Sequence, residues 1–239
     1  SALFGMALFL FSALSVQANS DLTEIKKLIE SQNIEKAFER IKAFQAGKSK
    51  LLPEVQLLFG DLYLALEQPA KANEYFEKTL FSSTRFDDSA NAGMAEAQFV
   101  LGNLVKAETL ADTALKQNPD QIRAKLVKGA IVAERGNLLT ARKLFQSAMK
   151  SSQTSTLAGR KFAKALMRQN LLGEAEEVLK DTLIGNSFDA PSLELYSELL
   201  FFQQRFDMAI EYRIDAEEKY RSAGNTIKAN EMLAWLNIR

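Results

Sequence analysis

One alanine recurs along this 239-residue chain at an almost fixed interval: Ala37, Ala72, Ala107, Ala141, Ala175 and Ala209, with separations of 35, 35, 34, 34 and 34 by subtraction of the residue numbers. A period of this length constrains the fold more than any composition does. It means one small supersecondary unit used again and again, each copy unable to bury its apolar face alone and each stacked on its neighbours.

The surroundings of the alanine repeat with it. Three positions before it an apolar residue recurs, as in Ile34, Leu104, Leu138, Leu172 and Phe206. Four positions after it stand Ile41, Phe76, Ala111, Phe145, Leu179 and Arg213, and seven after it Phe44, Thr79, Ala114, Ala148, Thr182 and Ala216. Steps of three, four and seven mark one buried face of a helix. Twelve positions before the alanine lie Ile25, Gly60, Ala95, Gly129, Ala163 and Ser197, mostly small, where a second helix can approach closely. Between the two stretches come Gln32-Asn33, Glu67-Gln68, Gly102-Asn103, Gly136-Asn137, Asn170 and Gln203-Gln204, residues suited to the left-handed stop of a helix. The spacing predicts helix, short turn, helix in every unit.

This pattern resembles the tetratricopeptide repeat family. The resemblance rests on Gly60, Tyr63, Ala72 and Phe76 in the second unit, on Ala95, Gly102, Ala107, Ala114 and Pro119 in the third, and on Gly129, Gly136, Ala141, Phe145 and Ala148 in the fourth. No unit carries the family's early Trp, Ile25 replaces a small residue, and Arg213 takes a usually aromatic position. The resemblance implies an all-α, right-handed superhelical solenoid of about six units near 19–52, 53–87, 88–121, 122–155, 156–189 and 190–223. A capping helix over 225–239 is expected to close the last interface through Ile227, Met232, Leu233 and Leu236, with Trp235 packed into it.

The composition narrows the chemistry. Without His or Cys the chain lacks the usual general base, the commonest metal ligands, thiolate nucleophiles and disulfides. Adjacent acidic pairs such as Asp87-Asp88 and Glu176-Glu177 diverge on a helix and do not make a spaced acid and base, and no glycine-rich phosphate loop is present. With 30 Lys+Arg against 30 Asp+Glu there is no bulk attraction to nucleic acid or anionic lipid. No catalytic residue, metal site or cofactor is expected, and the expected partner is a protein or peptide.

The first residues form a separate object. The stretch from Ala2 to Val16 is uncharged and precedes Asp21, the first charged side chain. As a helix, about 15 residues reach roughly 22 Å, short of the ~30 Å hydrocarbon core. Val16 and Ala18 sit where a signal peptidase reads small side chains, so residues 1–18 are expected to be a signal peptide that sends the protein to the periplasm or outside. Left uncleaved, the same segment would anchor the chain to a membrane and face the solenoid to the cytoplasm. A non-catalytic helical domain of a cell-wall lytic system is the remaining alternative.

The resemblance places function on the concave face formed by each unit's first helix. Its groove positions fall on Leu57, Asp61 and Leu64; on Ala92, Glu96 and Phe99; on Leu126 and Ala130; on Arg160, Lys164 and Met167; and on Glu194, Glu198 and Phe201. Arg160, Lys164 and Arg168 stand at i, i+4 and i+8 on one helical stripe, suited to an acidic segment or a C-terminal carboxylate, or to pairing with Glu194 and Glu198 of the next unit. Of the adjacent Phe201 and Phe202, one is expected to face the groove as an anchor. The partner-binding candidates are therefore Arg160, Lys164, Arg168, Phe99, Phe201 and Glu198. By resemblance, such scaffolds serve pilus, polysaccharide-export, secretion or cytochrome assembly in the cell envelope.

Overall fold

A computed structural model describes residues 20–46, 50–150, 155–185 and 189–238. The expected signal segment, residues 1–18, lies outside them. The described residues hold thirteen α-helices: α1 (20–30), α2 (Ile34–Gln45), α3 (Pro53–Ala65), α4 (Pro69–Ser82), α5 (Asp87–Val100), α6 (Leu104–Gln117), α7 (Ile122–Glu134), α8 (Leu138–Met149), α9 (Ser155–Arg168), α10 (Leu172–Gly185), α11 (Ala190–Phe202), α12 (Phe206–Ser222) and α13 (Thr226–Ile238). None is long and apolar enough to cross a membrane.

One turn geometry joins the helices of every unit. Gln32, Glu67, Gly102, Gly136, Asn170 and Gln204 all take positive φ, between 56° and 80°. In each turn the following N–H donates back five residues, Asn103 to the Gln98 carbonyl at 2.9 Å for example. This is a left-handed cap that satisfies helix-end carbonyls. Four of the six residues are not glycine and carry the strain of a side chain in that conformation. Pro53, Pro69 and Pro191 start helices, where the missing N–H costs nothing.

A seventh turn of the same kind, Gly224 at φ 77° followed by Asn225, links α12 to α13. It puts Ala229 where the other units keep their recurring alanine, fully buried, with Met232 beside it. The expected capping face is thereby corrected: Ile227 is 49% exposed and Leu233 39%.

All six recurring alanines are fully buried. The small positions twelve residues earlier explain the close approach. A Cβ on Gly129 would stand 3.1 Å from the Phe145 ring, and Phe76 lies between two glycines, at 2.3 Å from a Cβ on Gly60 and 2.5 Å from one on Gly93. Thr79 and Thr182, buried where alanine serves elsewhere, donate to the carbonyls of Tyr75 and Val178 four residues back. Arg213 at the usually aromatic position is buried too: Nε donates to Ser197 Oγ at 3.1 Å and the guanidinium lies 4.5 Å from the Trp235 ring centroid.

Candidate functional site: the inner face of the first helices

Consecutive first helices pack on one another, α3 on α5, α5 on α7, α7 on α9 and α9 on α11, and among the described residues no comparable packing joins consecutive second helices. The first helices therefore line the concave side and the second helices the convex side. Two of the resemblance's groove positions, Ala92 and Leu126, are swallowed by this packing and belong to the core.

What remains on the inner face is a web of charges that skips units. Arg123 of α7 reaches Asp61 of α3 at 2.5 Å and Glu96 of α5 at 3.3 Å. Lys161 of α9 also pairs with Glu96. The chain Asp61, Arg123, Glu96, Lys161 thus ties the second, third, fourth and fifth units across the concavity. Burial alone would push the Glu96 carboxyl up, but the cations of Lys161 and Arg123 outweigh it and hold the carboxyl below its usual range. For Arg123 the carboxylates of Asp61 and Glu96 overcome the same desolvation and raise its guanidinium. Glu30, at the end of α1, is the opposite case: desolvation raises it against the pull of Arg160 and Arg123.

The web continues toward the C-terminus. Arg160 donates to Asp189 Oδ1 at 2.6 Å and to Ser192 Oγ at 3.2 Å, and its side chain is 13% exposed. Glu194 of α11 accepts from the Tyr220 hydroxyl at 2.7 Å and pairs with Lys228 at 3.5 Å. Burial, then the Glu194 charge, pushes the Tyr220 phenol well above its ordinary value.

The sequence-predicted residues separate into engaged and open groups. Arg160 is committed to Asp189, and Arg168 pairs with Glu134 of the preceding unit at 3.1 Å. Pairing with Glu194 and Glu198 is thereby corrected, because the start of α11 and the end of α7 lie nearer to those guanidiniums. Arg168 also stands 5.8 Å from the ring of Phe99, so two residues singled out separately meet across one intervening first helix. Lys164, between them on the stripe, is exposed and makes no ion pair or hydrogen bond with any described residue. Glu198 is exposed as well. Phe201 packs edge-on against Phe206 at 5.2 Å and Trp235 at 5.6 Å, within the C-terminal interface, and its neighbour Phe202 is the more exposed, at 58%.

Arg123 and Lys161, the two cations that cross the concavity, are absent from the sequence-derived set. Their partners lie 62 and 65 residues away, and superhelical pitch rather than any local spacing brings them together. No three or more acidic side chains among the described residues are grouped so as to hold a metal ion.

Stacked helix-turn-helix units with their first helices inside and their second helices outside define an α-solenoid. Residues 63–131 match the family model described as a tetratricopeptide repeat. The fold is similar to a thermophilic tetratricopeptide-repeat protein of Thermus thermophilus (18% identity, TM-score 0.61, covering 77% of this chain and 100% of that one). It is also similar to NprR in complex with its cognate peptide NprX (13%, 0.57, 92% and 72%) and to PilW, a type IV pilus biogenesis factor (18%, 0.52, 90% and 98%). No curated protein matches the sequence. The match covers the middle of the chain, and the helix-turn-helix stacking continues on both sides of it, so the fold is a solenoid of the tetratricopeptide-repeat type.

Proposed function

We propose that this chain is a non-catalytic scaffold of the cell envelope that holds an acidic segment of a partner protein along its inner face at α9. The observation that carries the reading is the uneven engagement of the cationic stripe: Arg160 and Arg168 are fixed by their own carboxylates, which pre-orients the helix, and Lys164 between them is open. A preformed wall of this kind binds at little ordering cost. The fold's neighbours include one solved with a bound peptide and one named for pilus biogenesis, which supports a peptide-binding role in envelope assembly. Export is supported by the uncharged stretch before Asp21.

The test is capture of partners from a host extract by the tagged chain and by its Lys164→Glu variant. Because Lys164 pairs with no described residue, its reversal leaves the described ion pairs in place, unlike reversal of Arg160. Capture of the main partner is expected to fall about fivefold or more in the variant, and to fall in the wild type as salt is raised. Equal capture by both proteins overturns the reading.

A further inference from the structure

The turn of the first unit and the turn before α13 lie 190 residues apart in the chain, and they touch. Asn33 Nδ2 donates to the Ala223 carbonyl at 3.1 Å, and Asn225 Nδ2 donates to the Gln32 carbonyl at 2.7 Å. Each asparagine thus reaches the backbone of the other's turn, and the two turns have the same left-handed geometry. Their burial follows from this meeting. Asn33 and Asn225 are each 5% exposed, whereas Asn103 and Asn137, at the same place in other turns, face solvent.

Among the described residues the closure is not made by a shared core. The apolar cluster of the first unit runs from Ile25 to Leu62, and the cluster that holds α12 and α13 runs from Leu126 to Met232, with no member in common. Among the described residues, two hydrogen bonds from neutral amides join the ends, with no shared apolar cluster behind them. Such a joint is specific in register, because a buried amide without its partner is costly, and it can still open without unpacking either cluster.

We propose that Asn33 and Asn225 form a clasp that closes the superhelix on itself and governs access to the inner face. With the clasp made, the first and last turns are joined and the superhelix is closed around the inner face that bears Arg123 and Arg160. With it released, the first unit moves away on α3 and the wall opens. The two states differ by a rigid movement of packed helices about a short hydrogen-bonded contact, and anything that binds the wall better when it is uncovered shifts the balance toward opening.

The chain has no cysteine, so two introduced ones carry spin labels without interference. Labels at Lys36→Cys and Asn230→Cys, both exposed positions, report the gap between the ends by pulsed electron spin resonance on the full chain. With both asparagines in place a single narrow distance distribution is expected. Adding Asn33→Ala and Asn225→Ala is expected to give a broader distribution centred at longer distance, with helicity by circular dichroism unchanged. The same narrow distribution in both proteins overturns the clasp. Should the double substitution reduce helicity, the labelled protein with its asparagines intact is titrated with urea instead. Lengthening of the gap before helicity is lost supports a separately opening clasp, and lengthening only together with the loss overturns it.

Discussion

The two halves of the solenoid follow one repeat pattern and hold themselves together differently. From α7 onward a single apolar cluster runs from Leu126 to Met232, through three units and the last helix. The N-terminal half contains three smaller clusters, around Ile41 and Leu58, around Phe76 and Met94, and around Ala107 and Ile131. The cause is side-chain size. At the boundary of α5 and α6 the buried face is Ala92, Ala95, Ala107, Ala111 and Ala114, which lets helices approach closely but gives each residue little apolar area and short reach. In α11, Leu193, Leu195, Tyr196, Leu199 and Leu200 are all buried and touch helices on both sides. A period fixes where helices stack; the bulk of the side chains at those positions fixes how far cooperativity extends.

This difference can be tested by breaking each half separately, because the single Trp, Trp235, reports only on the C-terminal block and circular dichroism reports on both. The largest effect is expected for Tyr196→Ala. Tyr196 is 1% exposed, lies edge-on 4.7 Å from Tyr212 and donates to Glu176 at 3.2 Å. Its removal should cost about 3–5 kcal/mol, seen as a lower urea midpoint of Trp235 fluorescence. If that midpoint holds, the C-terminal block is not continuous. Next is Gly93→Leu, which drives a side chain into the Phe76 ring from the side opposite Gly60. It should cost about 1–3 kcal/mol through overpacking and shift only part of the circular-dichroism transition, with the fluorescence transition unmoved. A matching shift in both signals would show the two halves to be one cooperative unit.

A smaller effect separates the halves by pH. Burial would raise the Glu176 carboxyl, but hydrogen bonds from Lys180, Arg205 and Gln203 hold it at about 2. Between the ordinary value of 4.5 and about 2 the unfolded chain therefore binds a proton that the folded chain does not, so this group's stabilisation is present above pH 4.5 and is lost as pH falls toward 2. Glu176→Gln should flatten that acid loss in the fluorescence transition by about 1 kcal/mol once solvent screening is allowed for. An unchanged pH profile would remove Glu176 from the account. Smallest is Lys164→Glu, an exposed position that pairs with no described residue, expected to change stability by less than about 0.5 kcal/mol in urea unfolding.

Much of the fold is legible in the sequence because each unit solves its packing locally. The recurring alanine, its small partner twelve residues before and the left-handed turn all lie within one period, so spacing alone identifies them. The seventh turn escapes for the same reason. Gly224, Asn225 and Ala229 repeat Gly102, Asn103 and Ala107, but Ala229 follows Ala209 by 20 residues, and a search at 34 passes over it. The inner face is legible only in part. Asp61, Glu96 and Arg160 sit at groove positions, yet what each is paired with depends on superhelical pitch, which sums small rotations over many units. Ala92 and Leu126 occupy equivalent groove positions and fall into the core, because their side chains are apolar and the neighbouring first helix is close enough to cover them. The contact of Asn33 with the last turn has no local signature, since an asparagine at the same place in other turns faces solvent.

On the proposed function a partner docks on the concave side at α9. A photo-reactive amino acid placed at Lys164, on that side, and separately at Lys143 of α8, on the convex side, tests it in the protein's own host. A covalent partner adduct is expected from position 164 and none from 143. An adduct from 143 with none from 164 would contradict it.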